Sequence, residues 1–135
     1  MNERYLLDTN ILSDLVRNPS GRVAKSIARV GASAVATSVV VAAELRFGAV
    51  KKDSSKLATQ VETILSALAI LPLEPPVDEV YARLRAGLEA TGKPIGSNDL
   101  LIASHALTLG LVVVTDNVRE FSRAPGLAVE NWLAP

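Results

Sequence analysis

The chain has 135 residues, enough for one domain with a substantial hydrophobic core, and we expect a single domain over residues 1–135. Hydrophobic residues make up 49% of it and aromatic residues only 4%, so a folded core filled by Ala, Val and Leu is expected and disorder is not. The absence of cysteine excludes disulfides and thiolate metal sites.

The formal net charge is zero, which argues against indiscriminate nucleic-acid binding. The charge is unevenly distributed, because residues 1–60 carry nine Lys and Arg against five Asp and Glu, whereas residues 61–135 carry five against nine. The first half therefore carries a formal charge of +4 and the second half a formal charge of −4. A nucleic-acid partner stays possible if the basic residues share one face.

The first half of the chain alternates short apolar runs with helical patterns. The predicted elements are a strand over 4–7, a helix carrying the apolar residues of 11–16, a helix over about 23–30 capped by Ser20, a strand over 34–37, a helix over 40–50 capped by Ser38, and a helix opened by Asp53 and Ser54. The Asn-Pro-Ser-Gly segment at 18–21 separates the first two helices.

The second half continues the alternation. The predicted elements are a strand over 69–71, a helix over 77–88 after the Pro75-Pro76 turn, a loop over 92–96, a largely apolar helix from Asn98 to Gly110, a strand over 112–115, a turn of helix over 119–122 and an edge strand over 127–129. Short buried strands that alternate with helices predict right-handed crossovers and a mainly parallel sheet. The predicted fold class is therefore α/β.

No segment has the length of a membrane span. The longest stretch without a formal charge is Leu100–Thr115, which is 16 residues, whereas a span needs about 20 mostly apolar residues. The apolar stretch that ends at Asp8 is too short for the apolar part of a signal peptide. We expect a cytoplasmic protein with no membrane partner.

Four acidic residues fall where a parallel α/β sheet places its ligand site, at the carboxyl ends of the strands. Asp8 follows the first strand, Asp116 follows the fourth, Asp99 opens the helix before the fourth, and Glu44 lies about two turns into the helix after the second. Taken singly, Asp8 and Asp99 could be helix caps and Asp116 a loop residue. Taken together, four acids at one edge would repel one another unless a cation lay between them.

Oxygen-only ligands of this kind favour Mg²⁺ or Mn²⁺ over zinc, and such ions activate water and stabilise charge on phosphate oxygens. Histidine is not needed for this chemistry. The single His105 lies about 240° around the helix from Asp99, so we expect it to face elsewhere as a partly buried polar residue.

Four segments in order resemble the PIN-domain toxins called VapC. They are Leu6-Leu7-Asp8-Thr9-Asn10-Ile11-Leu12, Glu44-Leu45-Arg46-Phe47-Gly48-Ala49, Ile95-Gly96-Ser97-Asn98-Asp99-Leu100-Leu101-Ile102-Ala103, and Val114-Thr115-Asp116-Asn117-Val118-Arg119-Glu120-Phe121 followed by Val129-Glu130-Asn131-Trp132. The resemblance extends from one end of the chain to the other. Four motifs in the right order are much more specific than any one of them.

The resemblance implies a single PIN domain with a three-layer α/β/α fold and RNA cleavage that depends on Mg²⁺ or Mn²⁺. It also implies a homodimer and a VapB-like antitoxin that neutralises the toxin in a hetero-oligomer. The last third of the chain is similar to members that cut initiator tRNA in its anticodon loop, which makes that loop a candidate target.

By position, Asp8, Glu44 and Asp99 match the three core acids of the family, which implies catalytic and metal-binding roles. Asp116 matches a fourth position that many close relatives fill with Asn. The resemblance assigns the remaining polar residues to supporting roles. Glu120 supports the loop or the rim of the site. The other three orient carboxylates or waters, or act as caps: Thr9, Asn10 and Thr115.

Six basic residues are candidate contacts for the RNA backbone, because cations near a carboxylate pocket are needed to hold phosphates there. They are Arg17, Arg22, Lys25, Arg46, Lys51 and Lys52. The alternative is that they are solubilising charges. Arg46 is 200° around its helix from Glu44 and is not expected on the same wall of the pocket.

Two other functions compete with the nuclease. Asp8-Thr9-Asn10 is partly similar to the D-x-D-x-T motif of haloacid-dehalogenase-type phosphatases, but Asn10 stands where the second Asp is required. A non-catalytic PIN-like RNA-binding module would keep the fold and would need no acidic cluster. The three acids Asp8, Glu44 and Asp99 favour the nuclease over both alternatives.

Overall fold

A computed structural model describes residues 2–135. Over that range the backbone forms five β-strands, seven α-helices and one 3₁₀ turn. In chain order these are β1 (Tyr5–Leu7), α1 (Thr9–Arg17), α2 (Arg22–Val30), the 3₁₀ turn (Ala32–Ala34), β2 (Val35–Ser38), α3 (Val39–Lys52), α4 (Ser55–Ser66), β3 (Ala69–Leu71), α5 (Val77–Ala90), α6 (Ser97–Leu109), β4 (Val112–Val114), α7 (Val118–Phe121) and β5 (Val129–Glu130).

The five strands form one parallel sheet in the order β3-β2-β1-β4-β5. The central strand β1 pairs with β2 on one side, where Tyr5 is opposite Val35, and with β4 on the other, where Leu7 is opposite Val114. Because all the pairs are parallel, the carboxyl ends of β2, β1 and β4 lie side by side at one edge. The predicted α/β class with a parallel sheet is confirmed.

The core forms where this sheet meets its helices. Leu6 and Leu7 of β1 are fully buried, as are Ile11 and Leu12 of α1, and each such side chain contributes about 1.5–3 kcal/mol when it leaves water. Helix α6 is buried from Ile102 through Ala106. Within residues 2–135, neither α6 nor any other helix has both the length and the apolar character needed to cross a membrane.

Three local predictions were wrong. Helix α2 begins after Gly21 rather than Ser20, because the chain turns tightly there: the Gly21 amide donates to the Asn18 carbonyl at 2.9 Å, and a Cβ on Gly21 would lie 3.0 Å from the Cβ of Asn18. Asp53 ends α3 in a left-handed conformation (φ 49°) and does not open α4, which Ser54 caps alone. The last strand is Val129–Glu130 and not 127–129, because it is Val129 and Glu130 that pair with β4.

Candidate active site

Asp8 lies at the centre of the site, directly after β1. It occupies the N-cap position of α1, yet its carboxylate does not cap the helix. Its Oδ2 instead accepts hydrogen bonds from the Thr115 hydroxyl at 2.8 Å and from the Asn10 amide at 3.3 Å. Only 3% of the residue is exposed, and burial raises the pKa of its carboxyl above the ordinary value. The carboxylate is thus oriented by neighbours and free of a capping role.

Glu44 reaches the same edge from α3. Ser38 at the end of β2 caps this helix by accepting from the Val40 amide at 3.1 Å, which sets where the helix begins. The half-buried carboxylate of Glu44 accepts from the Thr9 hydroxyl at 2.6 Å and from the Asn98 amide at 3.2 Å. Glu44 is therefore held between the first turns of α1 and α6.

Asp99 lies in the first turn of α6. Burial, together with the smaller effects of the neighbouring charges of Asp8, Glu120 and Glu44, raises its pKa to about 6. A hydrogen bond of 3.3 Å from the Asn117 amide to Asp99 Oδ2 acts against this rise. The influence of Asp8 and Glu44 on Asp99 is the electrostatic sign that these three acids, from distant parts of the sequence, occupy one site.

Asp116 follows β4 and lies at the rim. Its side chain is exposed, and its backbone amide donates to Asn10 Oδ1 at 3.1 Å. Its charge also contributes to the raised pKa of Asp8. Asp116 is close enough to act on the site electrostatically, but it is not enclosed by it as Asp8 is.

Glu120 supports the loop before α6. Its Oε1 accepts from the Gly96 amide at 2.6 Å, and its Oε2 accepts from the Asn117 amide at 2.9 Å. The bond from Gly96 is the main cause of the lowered pKa of Glu120. A Cβ at position 96 would lie 3.4 Å from Glu120 Oε1, so glycine permits this close approach.

Neutral polar side chains connect the acids, and sequence reasoning missed two of them. Thr9, Asn10 and Thr115 were expected near the carboxylates and lie there. Asn98, which donates to Glu44, and Asn117, which donates to both Asp99 and Glu120, were not singled out. The available signal was their position, because Asn98 precedes Asp99 and Asn117 follows Asp116 directly.

In the described part of the chain, no cation is paired with the acids. Within residues 2–135 the ion pairs are Arg46–Glu62 and Arg85–Glu89, and both are exposed and outside the site. Over the same range, no three Asp, Glu, His or Cys side chains are arranged as around a bound ion. Each core acid instead faces neutral donors, so sharing an ion would require its carboxylate to turn from them.

The six basic candidates separate into two groups. Arg17 and Lys52 line a groove that also includes Thr9 and Glu44 of the site. The other four do not line it: Arg22 donates to the Ala134 carbonyl, Lys25 is exposed on α2, Arg46 pairs with Glu62 as its helical angle suggested, and the ammonium of Lys51 lies over the Phe47 ring.

The side-chain contact of His105 is with Ser38 and not with one of the acids, and the residue is more deeply buried than the sequence suggested. It is 1% exposed, and its Nδ1 lies 2.9 Å from the hydroxyl oxygen of Ser38. Burial lowers its pKa, which favours the neutral ring. Among the described residues its Nε2 has no hydrogen-bond partner.

Comparison with known proteins gives consistent results. The PIN domain family model matches residues 5–127. Ribonuclease VapC2 of Rickettsia felis is 37% identical over 130 residues, which is 95% of this chain and 97% of that protein. The tRNA(fMet)-specific endonuclease VapC of Salmonella typhimurium is 34% identical over 131 residues, covering 96% and 98%. The crystal structure of VapBC2 from Rickettsia felis bound to a promoter DNA fragment matches with a TM-score of 0.89 and 36% identity, covering 95% of this chain and 98% of that one.

Proposed function

The chain belongs to the PIN-domain family and, within it, to the VapC ribonucleases, and on that premise we propose that it is a metal-dependent endoribonuclease toxin. The observation that carries the proposal is the meeting of Asp8, Glu44 and Asp99 at the carboxyl edge of the parallel sheet, with no cation paired to them within residues 2–135. Such a site repels the phosphates of RNA unless positive charge is added.

The donor set fits Mg²⁺ or Mn²⁺. Every candidate ligand is a carboxylate oxygen, which these ions prefer, and the chain has no cysteine to supply a thiolate ligand. Asp8, Glu44 and Asp99 would hold the ion, with Asp116 as a further candidate at the rim. When bound, the ion supplies activation of a water and stabilisation of the charge that develops on phosphate oxygens.

The protein's own contribution is to hold the carboxylates in place. Thr115 and Asn10 orient Asp8, and Thr9 and Asn98 orient Glu44, all through neutral donors that leave the negative charge of the acids uncompensated. Asn117 connects Asp99 to Glu120 and thereby couples the start of α6 to the loop after β4. The charge of the site is therefore kept while its geometry is constrained.

The substrate and the partners follow from the relatives. The Salmonella typhimurium relative is named a tRNA(fMet)-specific endonuclease, and we extend tRNA, with the anticodon loop of initiator tRNA as the specific candidate, to this chain. The Rickettsia felis structure is a VapBC2 complex, which supports a VapB-like antitoxin here. The proposed assembly is a toxin homodimer within a toxin–antitoxin hetero-oligomer, acting on RNA in the cytoplasm.

The phosphatase alternative loses support at Asn10. Its amide nitrogen donates to Asp8 and Thr115, and its amide oxygen accepts from the Asp116 backbone. An amide in this position cannot exchange a proton with a leaving group as a carboxylic acid does. The local geometry thus gives Asn10 an orienting role.

The direct test is cleavage of purified tRNA by the purified protein, with Mg²⁺ and with EDTA. We expect cleavage only with the ion, and loss of at least about 100-fold for Asp8→Asn and for Asp99→Asn, because an amide keeps the shape but removes the anionic ligand. Asp78→Asn, at an exposed position on α5, is the control and should cleave normally. Undiminished cleavage in EDTA, or by either site variant, would rule out the metal-dependent mechanism.

A further inference from the structure

A groove leads away from the acids between α1, α3 and α4. It encloses about 290 Å³, and we call it the α1–α3 groove. It is lined by Thr9, Ser13, Val16, Arg17, Glu44, Leu45, Gly48, Ala49 and Lys52, with Leu57 and Val61 contributed by α4. The hydrogen bond of 2.6 Å between Thr9 and Glu44 marks the end at the active site.

Two cations mark the other end. Arg17 lies eight residues after Thr9 on α1, and Lys52 lies eight residues after Glu44 on α3, which at 1.5 Å per residue is about 12 Å along each helix. Both side chains are exposed, and neither is in the ion pairs of the described residues. The groove therefore runs from a negative end to a positive end.

Gly48 keeps the middle of the groove open. It lies four residues from both Glu44 and Lys52 on α3, and a Cβ built on it would meet nothing within 4 Å. A glycine inside a helix costs about 0.5–1 kcal/mol relative to Ala. Neither a positive φ nor a close packing contact requires glycine here. The consequence of glycine at this position is that no side chain occupies the middle of the groove.

We propose that the α1–α3 groove binds the RNA strand beside the scissile bond, with Arg17 and Lys52 contacting backbone phosphates. This inference rests on the proposed endoribonuclease function and adds the path of the substrate to it. At about 3.4 Å per stacked nucleotide, a 12 Å offset places these contacts three to four nucleotides from the acids. The partly exposed apolar side chains of Val16 and Leu57, which also line the groove, provide a surface for bases or riboses.

Charge favours RNA over an antitoxin segment as the occupant. An arginine that neutralises the acids would suit the Glu44 end, but a basic segment continuing along the groove would meet Arg17 and Lys52. A phosphate backbone is attracted along the whole groove. Arg17 and Lys52 attract its negative charge at one end, and a metal bound by the acids would attract it at the other.

The first measurement is RNA binding as a function of salt, in an Asp8→Asn background that prevents cleavage. The Arg17→Gln/Lys52→Gln double variant should make the negative slope of log affinity against log salt shallower by about 1.4, because each phosphate contact on a single strand contributes about −0.7 to it. Arg29→Gln/Arg83→Gln removes the same charge from exposed positions on α2 and α5 and should leave the slope unchanged. Equal slopes for the two double variants would overturn the proposal.

The second measurement is steady-state cleavage with Gly48→Leu, which fills the groove. KM for a long RNA should rise by about tenfold, and KM for a trinucleotide too short to reach the cations should rise much less. Gly87→Leu is the matched control, because Gly87 is also inside a helix and its Cβ would also meet nothing within 4 Å. Both variants should melt no lower than wild type, since Leu favours helix more than Gly does.

The outcomes separate the two proposals. Equal KM values for Gly48→Leu and Gly87→Leu would overturn the groove assignment. If Gly48→Leu leaves KM unchanged and weakens inhibition by a VapB-like antitoxin, the groove belongs to the antitoxin and the RNA assignment is overturned. If wild type cleaves no RNA with Mg²⁺, the proposed function fails, and the salt slopes of binding still decide whether the groove holds RNA.

Discussion

The Nδ1 atom of His105 lies 2.9 Å from the hydroxyl oxygen of Ser38, and this buried contact connects α6 to α3. Ser38 precedes Glu44 by six residues, and Asp99 precedes His105 by six. At the other end of the pair, Asn98 donates to Glu44 at 3.2 Å, so the two helices run antiparallel. The Ser38–His105 contact therefore lies about 9 Å along each helix from the acid that helix carries.

This contact predicts an energetic coupling between the two residues. Ser38→Ala should cost about 2 kcal/mol, because it removes the cap of α3 and leaves buried His105 Nδ1 without a partner. In a His105→Leu background the same change should cost only the cap, about 1 kcal/mol. Urea unfolding of the four proteins in this cycle measures the coupling. Strictly additive costs would mean that the contact contributes nothing.

The raised pKa of Asp99 predicts a stability effect in EDTA. Because the folded protein holds this proton to about pH 6 and the unfolded chain only to the ordinary value of 3.8, stability falls as pH rises through that window. Asp99→Asn should therefore melt at a higher temperature than wild type at pH 7.5. The gain in the free energy of unfolding should be on the order of 1 kcal/mol after solvent screening. The margin should shrink toward pH 5, and saturating Mg²⁺ should narrow or reverse it.

Differential scanning calorimetry of both proteins across pH 5–8 checks this. Because wild type and Asp99→Asn share all other titrating groups, including His105, the contributions of those groups cancel in the difference between the two proteins. Lower melting of Asp99→Asn in EDTA would show that the main role of Asp99 is its favourable charge in the first turn of α6.

Asn117 is expected to control the pH dependence of cleavage. Its amide donates to Asp99, which lowers the pKa of that carboxyl, and Asn117→Ala removes this bond. The pKa of Asp99 should then rise further, and the acidic limb of the kcat/KM profile should move to higher pH. The profile is measured between pH 5 and pH 9 at fixed Mg²⁺. Asn18→Ala, which removes an exposed bond to Asp14, should leave the limb in place, and an equal shift in both variants would contradict the assignment.

An antitoxin that inhibits this protein is expected to place an arginine among Asp8, Glu44 and Asp99. The three acids have no cationic partner within residues 2–135, and guanidinium offers a bidentate fit to carboxylate. Changing that arginine to Gln should relieve inhibition, and raising Mg²⁺ should weaken inhibition by the unmodified antitoxin. Inhibition that resists both changes would mean that the antitoxin does not act at the acids.

Some site positions could be read from the sequence because they follow directly from strand ends. Asp8 and Asp116 come immediately after apolar runs, and parallel strands bring such residues to one edge. Glu44 and Asp99 are on helices, so their convergence depends on how those helices pack; the predicted topology placed them near the same edge, and the resemblance to known motifs supported this independently. The expected exclusion of Arg46 from the Glu44 wall needed only helical periodicity.

Other features depend on tertiary contacts that no local pattern contains. Lys51 and Lys52 are adjacent and chemically identical, yet only Lys52 lines the α1–α3 groove, because the packing of α1 and α4 decides which face of α3 is enclosed. The two bonds of Asn117 require the loop after β4 to meet the start of α6. Gly21 replaces Ser20 as the cap because of a close approach to Asn18.

The central position of β1 has a consequence for the timing of toxicity. The hydrogen bond between Asp8 and Thr115 joins residues that are 107 positions apart, and β1 must wait for β4 before the site can close. At about 5–20 residues per second, a ribosome needs on the order of ten seconds to add that stretch. A nascent chain that ends before residue 99 carries Asp8 and Glu44 without Asp99, and one that ends before residue 115 also lacks the Thr115 partner of Asp8. We therefore expect nuclease activity only after the β4 segment has been made, because a chain whose synthesis stops earlier cannot pair β1 with β4.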